Sequence, residues 1–189
     1  MQSKFYMVIA LVVVCLISAI ALSQVYSITQ IKIEKQKTEA VLANLNRVLP
    51  NATRFEADSA NPQTLWIGFD RQGQRVGIVF KVAPRGYGGP IETLVGIDTS
   101  QTITGIHIAS AAEGLKETPG LGLKVREDWF RNQYINKTKN EIKLKKDGGP
   151  IDAITAATIS SRAVTDGIKQ GLEIYEIYLA PDSIRNLNR

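Results

Sequence analysis

The stretch DAITAATISSRA, residues 152–163, contains four hydroxyl side chains and no cysteine, histidine or lysine. Apolar residues at helical spacing follow it, which predicts the last helix of the chain from about residue 158 to 179. The first amides of a helix lack partners inside it, and the helix dipole places partial positive charge there. Small residues such as Ala156 and Ala157 would leave those amides open to a phosphate. The spacing alone fits an ordinary capped helix start as well as a phosphate site.

The hydroxyl groups of this stretch are poor candidates for nucleophilic catalysis. A serine or threonine needs a neighbouring base to attack a substrate, and the candidates are Lys116 and the sole histidine, His107. The signature G-x-S-x-G is absent from the sequence. Thr155 and Thr158 would share one face of a helix, and a hydroxyl can also be a passive attachment point for a group that another enzyme transfers. We therefore predict no catalytic residue in this chain.

Upstream of this stretch, the apolar pattern predicts strands joined by short turns, at 64–70, 75–83, 91–97 and 102–110. Successive strands with short links favour an antiparallel meander. The loops 84–90 and 113–124 are rich in glycine, which lets a backbone approach another group closely. A short amphipathic segment around Trp129 and a short strand at 141–145 are also predicted. The predicted fold class is therefore α+β.

The N-terminal segment predicts a membrane anchor. Residues 6–22, YMVIALVVVCLISAIAL, are almost wholly apolar, and about 20 such residues span a bilayer core of roughly 30 Å. A cleaved signal peptide is the alternative, because residues 19–21 (AIA) resemble a cleavage site. The long apolar run and the single preceding lysine favour an uncleaved span. Helical spacing then continues to Pro50. We expect a transmembrane anchor over 1–27, a helical stalk over 28–50 and one domain over 51–189.

Composition excludes several classes of site. The 189 residues include one cysteine, Cys15, inside the predicted span, and one histidine. An internal disulfide is therefore impossible, and a metal site is not expected. The net charge is +5 without a stripe of basic and aromatic residues, so nucleic acid binding is not expected either. The sequence also lacks a G-x-G-x-x-G motif in the strand-to-helix setting that binds dinucleotides.

The segment DAITAAT, residues 152–158, resembles the D-x-x-[ST]-G-A-T flavinylation motif of FMN-binding subunits. The resemblance extends to GYGGPIETLVGID at 86–98, KETPGLG at 116–122 and ISSRAV at 159–164. Together with the single N-terminal span, these segments resemble the G subunit of the Rnf electron transport complex. The C subunit of the sodium-translocating NADH:quinone reductase is the related family. The resemblance implies one FMN-binding domain, with an antiparallel sheet and flanking helices, after the transmembrane helix.

The resemblance also implies a cofactor site. FMN would be joined through its phosphate to Thr158, as a phosphoester that a separate flavin transferase makes from FAD with magnesium. Asp152 would belong to the sequence that this enzyme recognises. The other residues implied in flavin binding are Thr155, Ala156, Ala157, Gly88, Gly89, Glu117, Thr118, Leu121 and Gly122. Two positions depart from the family, since Ala156 replaces the commonest glycine and Leu115 stands where a histidine is frequent.

The function implied by the resemblance is that of an electron carrier. The chain would pass electrons within a ferredoxin:NAD+ oxidoreductase complex that drives ion translocation, without binding ferredoxin or NAD itself. The family places its domain on the extracytoplasmic side of the cytoplasmic membrane, whereas Lys32, Lys35 and Lys37 would favour the cytoplasm by the positive-inside rule. We follow the family, because attachment by the usual exported transferase requires it. A cofactor-free, membrane-tethered binding or sensing module is the alternative function.

Overall fold

The computed structural model describes residues 2–61 and 64–179, and the chain divides into two units at the junction of Val41 and Leu42. The first unit belongs to helix α1, which runs from Gln2 to Val48. Within α1, the stretch Tyr6–Tyr26 has 21 residues, a mean hydropathy of 2.7 and no buried side chains. At 1.5 Å per residue this stretch measures about 32 Å, which matches a bilayer core. Among the described residues, it is the one helical stretch long and apolar enough to cross a membrane.

The second unit is built on a five-stranded sheet in which each strand pairs with its neighbour in sequence. The strands are β1 (Arg54–Ala57), β2 (Leu65–Phe69), β3 (Arg75–Val82), β4 (Thr93–Asp98) and β5 (Ile103–Ile108). Every pairing is antiparallel, which confirms the predicted meander over β2 to β5. The sequence does not predict β1, because the alternation in its residues, RFEA, covers only four positions.

One face of the sheet packs against the end of α1 and the residues that follow it. The side chains buried at this contact are those of Leu45, Val48, Leu49, Ala52, Val79 and Leu94. Gly96 and Gly105 lie opposite each other on β4 and β5, and a Cβ at Gly96 would collide with the carbonyl oxygen of Val48. Thr104 Oγ1 donates a hydrogen bond of 2.5 Å to the same oxygen. Helix backbone therefore lies directly on sheet backbone at this point.

The opposite face of the sheet carries the larger core, which the last helix covers. Short elements lead to that helix: α2 (Asp128–Arg131) and the 3₁₀ turns Ala111–Glu113, Gly122–Arg126, Asn132–Tyr134, Lys139–Glu141 and Lys145–Asp147. The last helix, α3, runs from Thr158 to Tyr175 and buries Val164, Ile168 and Leu172 at every fourth position. Tyr175 stacks on Phe80 of β3 with 5.1 Å between ring centroids. These contacts fix the position of α3 on the sheet.

Two predicted elements differ in the structure. The short strand predicted at 141–145 is wrong, because Lys139–Glu141 is a 3₁₀ turn and Leu144 makes a single parallel bridge to Ile151. The cause is a capping box, in which the Glu141 carboxylate accepts hydrogen bonds from the backbone and side chain of Thr138 and turns the chain. The last helix begins at the predicted residue, but α3 ends at Tyr175, and a 3₁₀ turn, Glu176–Leu179, occupies the rest of the predicted range.

Candidate functional site

Thr158 is the first residue of α3, and its side chain is half-buried. The first hydrogen bond of the helix runs from Ser161 N–H to the Ala157 carbonyl at 3.0 Å. The N–H groups of Thr158, Ile159 and Ser160 meet no acceptor in the part of the chain that the structure describes. The first turn also contains no acidic residue. The start of α3 is therefore bare and carries the positive end of the helix dipole.

Ser161 closes a tight bend immediately before α3. Its Oγ accepts a 2.9 Å hydrogen bond from Ile154 N–H and donates one of 3.0 Å to the Ala157 carbonyl. The Ala157 N–H donates to the Ile154 carbonyl at 3.0 Å. The expectation that this amide is open to a phosphate is therefore wrong. Thr155 lies in the bend, outside the helix, so it does not share a helical face with Thr158. Sequence reasoning missed the role of Ser161.

Ala156 adopts the left-handed backbone conformation, with φ of 62°. This conformation costs an L-residue about 1–2 kcal/mol, whereas glycine adopts it freely. The bend therefore explains why glycine would suit this position. Alanine in place of the family's commonest glycine strains the backbone here. The methyl group itself points to solvent, because Ala156 is exposed.

Asp152 is held by both its side chain and its backbone. Lys145 Nζ lies 2.7 Å from Asp152 Oδ2. The Gln133 side-chain amide pairs with the backbone of Asp152, accepting from its N–H at 2.7 Å and donating to its carbonyl at 3.3 Å. These contacts fix the entry to the bend while leaving Asp152 exposed. The residue implied in transferase recognition is thus on the surface.

A pocket of about 310 Å³ opens beside Thr158. Its lining residues are Arg85, Thr158, Ile159, Arg162, Ala163 and Asp166. Arg162 is engaged by Asp147 through two hydrogen bonds, of 2.6 and 3.2 Å, and these bonds raise the pKa of Arg162. Arg85 makes no ion pair with any described residue. Among the described residues, the pocket therefore holds one guanidinium without an ion pair, together with the Asp166 carboxylate, near the bare helix start.

The two glycine-rich loops meet the start of α3 at Glu117. Gly88 N–H donates to Glu117 Oε1 at 3.1 Å, and Ser160 Oγ donates to Glu117 Oε2 at 2.8 Å. A Cβ at Gly86 or Gly122 would collide with the same carboxylate. The structure thus brings together Gly88, Glu117, Gly122 and the start of α3, which are far apart in the sequence. We name the cluster Gly88, Glu117 and Ser160 the Glu117 junction.

The remaining predicted site residues lie in the same two loops. Gly89 follows Gly88 and lies near the Lys116 side chain. Thr118 and Leu121 are exposed in the turn after Glu117, where the Thr118 carbonyl accepts the Leu121 N–H at 3.2 Å. Each of the three segments that meet at Glu117 also exposes an apolar side chain: Tyr87, Leu121 and Ile159. Within the described part of the chain, the site therefore combines unpaired amides, a guanidinium without an ion pair and exposed apolar groups.

A second polar cluster surrounds Glu113. Its carboxylate accepts the Ser110 N–H at 2.6 Å and lies 3.4 Å from Nε2 of the buried His107, and Ser110 Oγ accepts the Glu113 N–H at 3.2 Å. Burial raises the pKa of Glu113, but the Ser110 hydrogen bonds and His107 outweigh it and hold this pKa at about 2. Burial lowers the pKa of His107. Among the described residues, no group of three or more His, Cys, Asp or Glu side chains could hold a metal ion.

Comparison with known proteins identifies the family. Residues 86–173, which include the Glu117 junction and Thr158, match the FMN-binding domain family. The chain is 32% identical over 175 residues to the G subunit of the ion-translocating oxidoreductase complex of Methanosarcina acetivorans, covering 88% of this chain and 91% of that protein. The chain belongs to this family of G subunits. Another member, from the proton-translocating ferredoxin:NAD(+) oxidoreductase complex of Clostridium ljungdahlii, is 34% identical over 86% of each chain.

The fold of the chain also matches a solved structure. Shewanella oneidensis NqrC superposes with a TM-score of 0.50, at 17% identity, over 74% of this chain and 72% of that chain. This similarity shows a common fold. The comparisons confirm the resemblance to the Rnf G subunits and the α+β fold class with an N-terminal apolar helix, an antiparallel sheet and flanking helices.

Proposed function

We propose that this chain carries FMN covalently, as a phosphoester of the Thr158 hydroxyl, and passes electrons within an ion-translocating ferredoxin:NAD+ oxidoreductase complex. Two kinds of finding support the proposal: the names of its relatives and the match of residues 86–173 to the FMN-binding domain family. When bound, FMN would supply the redox chemistry, because a flavin accepts and releases electrons one or two at a time. The chain would hold, orient and anchor the cofactor.

The observation that carries the proposal is the position of Thr158 at a bare helix start. A phosphodiester retains one negative charge, which free helix amides and the helix dipole stabilise. Thr158 is half-buried beside the unpaired N–H groups, and its helix has no acidic residue in the first turn to repel a phosphate. Thr155 and Ala156 next to it are exposed, so a modifying enzyme can reach the segment. The residues present therefore fit a phosphate joined to Thr158.

Arg85 is the side chain best placed to neutralise that phosphate. Both Arg85 and Arg162 line the pocket beside Thr158, but Arg162 already pairs with Asp147. A guanidinium without a carboxylate partner loses less when it pairs with a new anion. The exposed side chains of Tyr87, Leu121 and Ile159 would offer apolar surface to the isoalloxazine ring. Gly89, whose missing side chain leaves space, would allow close approach, and Gly88, Thr118 and Gly122 lie in the same two loops.

The membrane anchor would keep the flavin close to the other subunits of the complex. The stretch Tyr6–Tyr26 supplies the span, and we propose the division into an anchor over 1–27, a stalk over 28–50 and a flavin domain over 51–189. A flavin transferase would be the maturation partner: the Thr158 oxygen would bond to the FMN phosphorus of FAD as the pyrophosphate bond breaks, releasing AMP and the hydroxyl proton. Since that enzyme works outside the cytoplasm, the flavin domain would lie on the extracytoplasmic side. A cysteine introduced at exposed Gln72 would then react with a membrane-impermeant maleimide in intact cells, and failure to react would contradict this orientation.

In-gel flavin fluorescence tests covalent attachment. The full-length chain, produced in a host that contains the transferase, is denatured, run on a gel and examined for a fluorescent band. We expect the wild type to fluoresce and Thr158→Val to lose all fluorescence, because valine has the shape of threonine without the hydroxyl. Thr99→Val, in the exposed turn between β4 and β5 and outside the motif, is the matched control and should stay fluorescent. A dark wild-type band would refute the carrier proposal in favour of a cofactor-free module, and a fluorescent Thr158→Val would move the attachment point.

A further inference from the structure

The Glu117 junction joins the two glycine-rich loops to the helix that presents Thr158. We infer that Glu117 is a positioning residue, whose carboxylate fastens the first turn of α3 to the loops at 86–89 and 117–122 and so fixes Thr158 for flavin transfer. This role differs from the direct flavin contact that the resemblance implies for Glu117. The inference rests on the proposed function of Thr158, but its geometry is independent of the cofactor.

The first argument is that protein groups occupy the carboxylate of Glu117. The residue is 5% exposed, and each of its oxygens accepts a hydrogen bond, Oε1 from Gly88 N–H and Oε2 from Ser160 Oγ. Ser160 is 1% exposed, so the second bond is shielded from water. A buried carboxylate is stable only when such donors replace its lost hydration. Little of Glu117 is left to face a cofactor.

The second argument is that the surrounding glycines make room for this carboxylate. A Cβ at Gly86 would collide with Glu117 Oε1, and a Cβ at Gly122 would collide with Oε2. A Cβ at Gly88 would collide with the Lys116 carbonyl, so this loop also needs a bare backbone to approach Glu117. The loops therefore close around the carboxylate itself, which makes Glu117 the centre of their packing.

The third argument concerns the first turn of α3. Ser160 follows Thr158 by two residues, and the N–H groups of this turn find no acceptor among the described residues. A helix start without capping bonds frays readily. The Ser161 hydroxyl joins the turn to the preceding bend by accepting from Ile154 N–H, whereas the Ser160 hydroxyl joins it to the glycine-rich loops by donating to Glu117. Loss of the Ser160 tie would therefore leave Thr158 more mobile relative to the loops.

Flavin transfer to defined variants tests this role. The full-length chain is purified in detergent from a host without the transferase, and covalent flavin is followed over time after adding transferase, FAD and Mg²⁺. Ser160→Ala removes the tie and should slow the transfer roughly tenfold, as expected when one hydrogen bond to a charged group is lost. Glu117→Gln should react at nearly the wild-type rate, because the amide can accept from Gly88 N–H and donate to Ser160 Oγ.

Thr165→Val is the matched control. It removes a buried hydroxyl from the same helix. Thr165 Oγ1 lies 2.8 Å from the Tyr134 hydroxyl and donates to the Ser161 carbonyl at 2.8 Å, so its loss affects the helix without touching the glycine-rich loops. It should destabilise the chain about as much as Ser160→Ala while leaving the transfer rate unchanged. Amide hydrogen exchange at residues 161–164, the first hydrogen-bonded amides of α3, should rise in Ser160→Ala and stay at the wild-type level in Thr165→Val and Glu117→Gln.

The outcomes separate this inference from the proposed function. If the wild type accepts no flavin, the proposed function fails, and hydrogen exchange still decides whether the Glu117 junction holds the helix start. The inference is overturned if Ser160→Ala matches the wild type in rate and exchange. It is also overturned if Glu117→Gln is as slow as Ser160→Ala, which would indicate a role for the charge itself, or if Thr165→Val slows transfer equally, which would indicate general destabilisation.

Discussion

Two helical starts in the second unit differ in whether their first backbone N–H groups have hydrogen-bond acceptors. The 3₁₀ turn Ala111–Glu113 is closed by a complete capping box, in which Ser110 and Glu113 satisfy each other's backbone N–H groups. The much longer α3 begins without an acidic residue in its first turn, and its first N–H groups have no acceptor among the described residues. A long helix has the stronger dipole end to neutralise. The difference suggests that a short turn can be optimised for stability alone, whereas the start of α3 is left open for an anion.

Removing the cap of the short turn should have the largest effect on stability. We expect Glu113→Ala to lower the free energy of unfolding by about 1 kcal/mol at pH 7, because the Ser110 N–H loses its acceptor. Urea unfolding of the full chain in detergent measures this change. Glu173→Ala, at an exposed position of α3, is the control and should change the stability little. Equal effects of the two variants would contradict the importance of this cap.

Acid should abolish the difference between wild type and Glu113→Ala. The folded pKa of Glu113 is about 2, below its ordinary 4.5, so its stabilisation is present above about pH 4.5 and is lost as the pH falls towards 2. The lowered pKa of His107 also reduces the free energy of unfolding as the pH falls below 6.5, because the fold favours the neutral imidazole. Urea unfolding at pH 7 and at pH 2 should show the gap closing. A gap that persists at pH 2 would exclude Glu113 ionisation as its cause.

Relaxing the bend before α3 should have the next largest effect. We expect Ala156→Gly to raise the free energy of unfolding by about 0.7 kcal/mol, since glycine removes the left-handed strain but adds entropy to the unfolded chain. The matched control is Ala153→Gly, where φ is negative and the same exchange should be destabilising. Urea unfolding of both variants measures the contrast. If both substitutions shift the midpoint in the same direction, backbone strain at Ala156 is not the explanation.

An acidic residue in the first turn of α3 should have the smallest effect on stability of these substitutions, but it should slow flavin attachment. Ile159→Asp adds a negative charge at an exposed position, which should stabilise the helix by about 0.5 kcal/mol. The same charge should slow covalent flavin attachment, because it competes with the phosphate for the dipole and the free amides. Ile174→Asp, exposed near the other end of α3, should destabilise by a similar amount without slowing attachment. Wild-type attachment in Ile159→Asp would show that the bare start does not serve the phosphate.

The sequence predicts the parts of this fold that depend on local pattern. Strands β2 to β5 follow apolar alternation, and the turns between them are marked by residues such as Asp70 and Asp98, whose side chains accept backbone N–H groups. β1 is missing from the prediction because its alternation covers only four residues, and its pairing with β2 is not visible in the local pattern. The wrong strand at 141–145 has the converse cause, since a local capping box overrides a short apolar alternation.

The candidate site is predictable in its residues but not in their arrangement. The motif resemblance selects Thr158 and both glycine-rich loops, yet spacing gives no sign that Glu117 accepts a hydrogen bond from Ser160, 43 positions away. It also cannot assign Ser161 to the bend, because any of the hydroxyl residues in that stretch could cap a helix. The strain at Ala156 is the exception, since a non-glycine residue at a commonly glycine position is a usable signal of positive φ.

The contact between the end of α1 and the glycine pair on the sheet has a mechanical consequence. Side chains in an interface can move between rotamers, whereas two backbones in direct contact have no such freedom. At Gly96, the Val48 carbonyl lies on sheet backbone with no side chain between them, and Thr104 holds it by a hydrogen bond. This joint lacks the compliant layer that side chains provide. A force on residues 42–48 would therefore be transmitted directly to the backbone of β4 and β5.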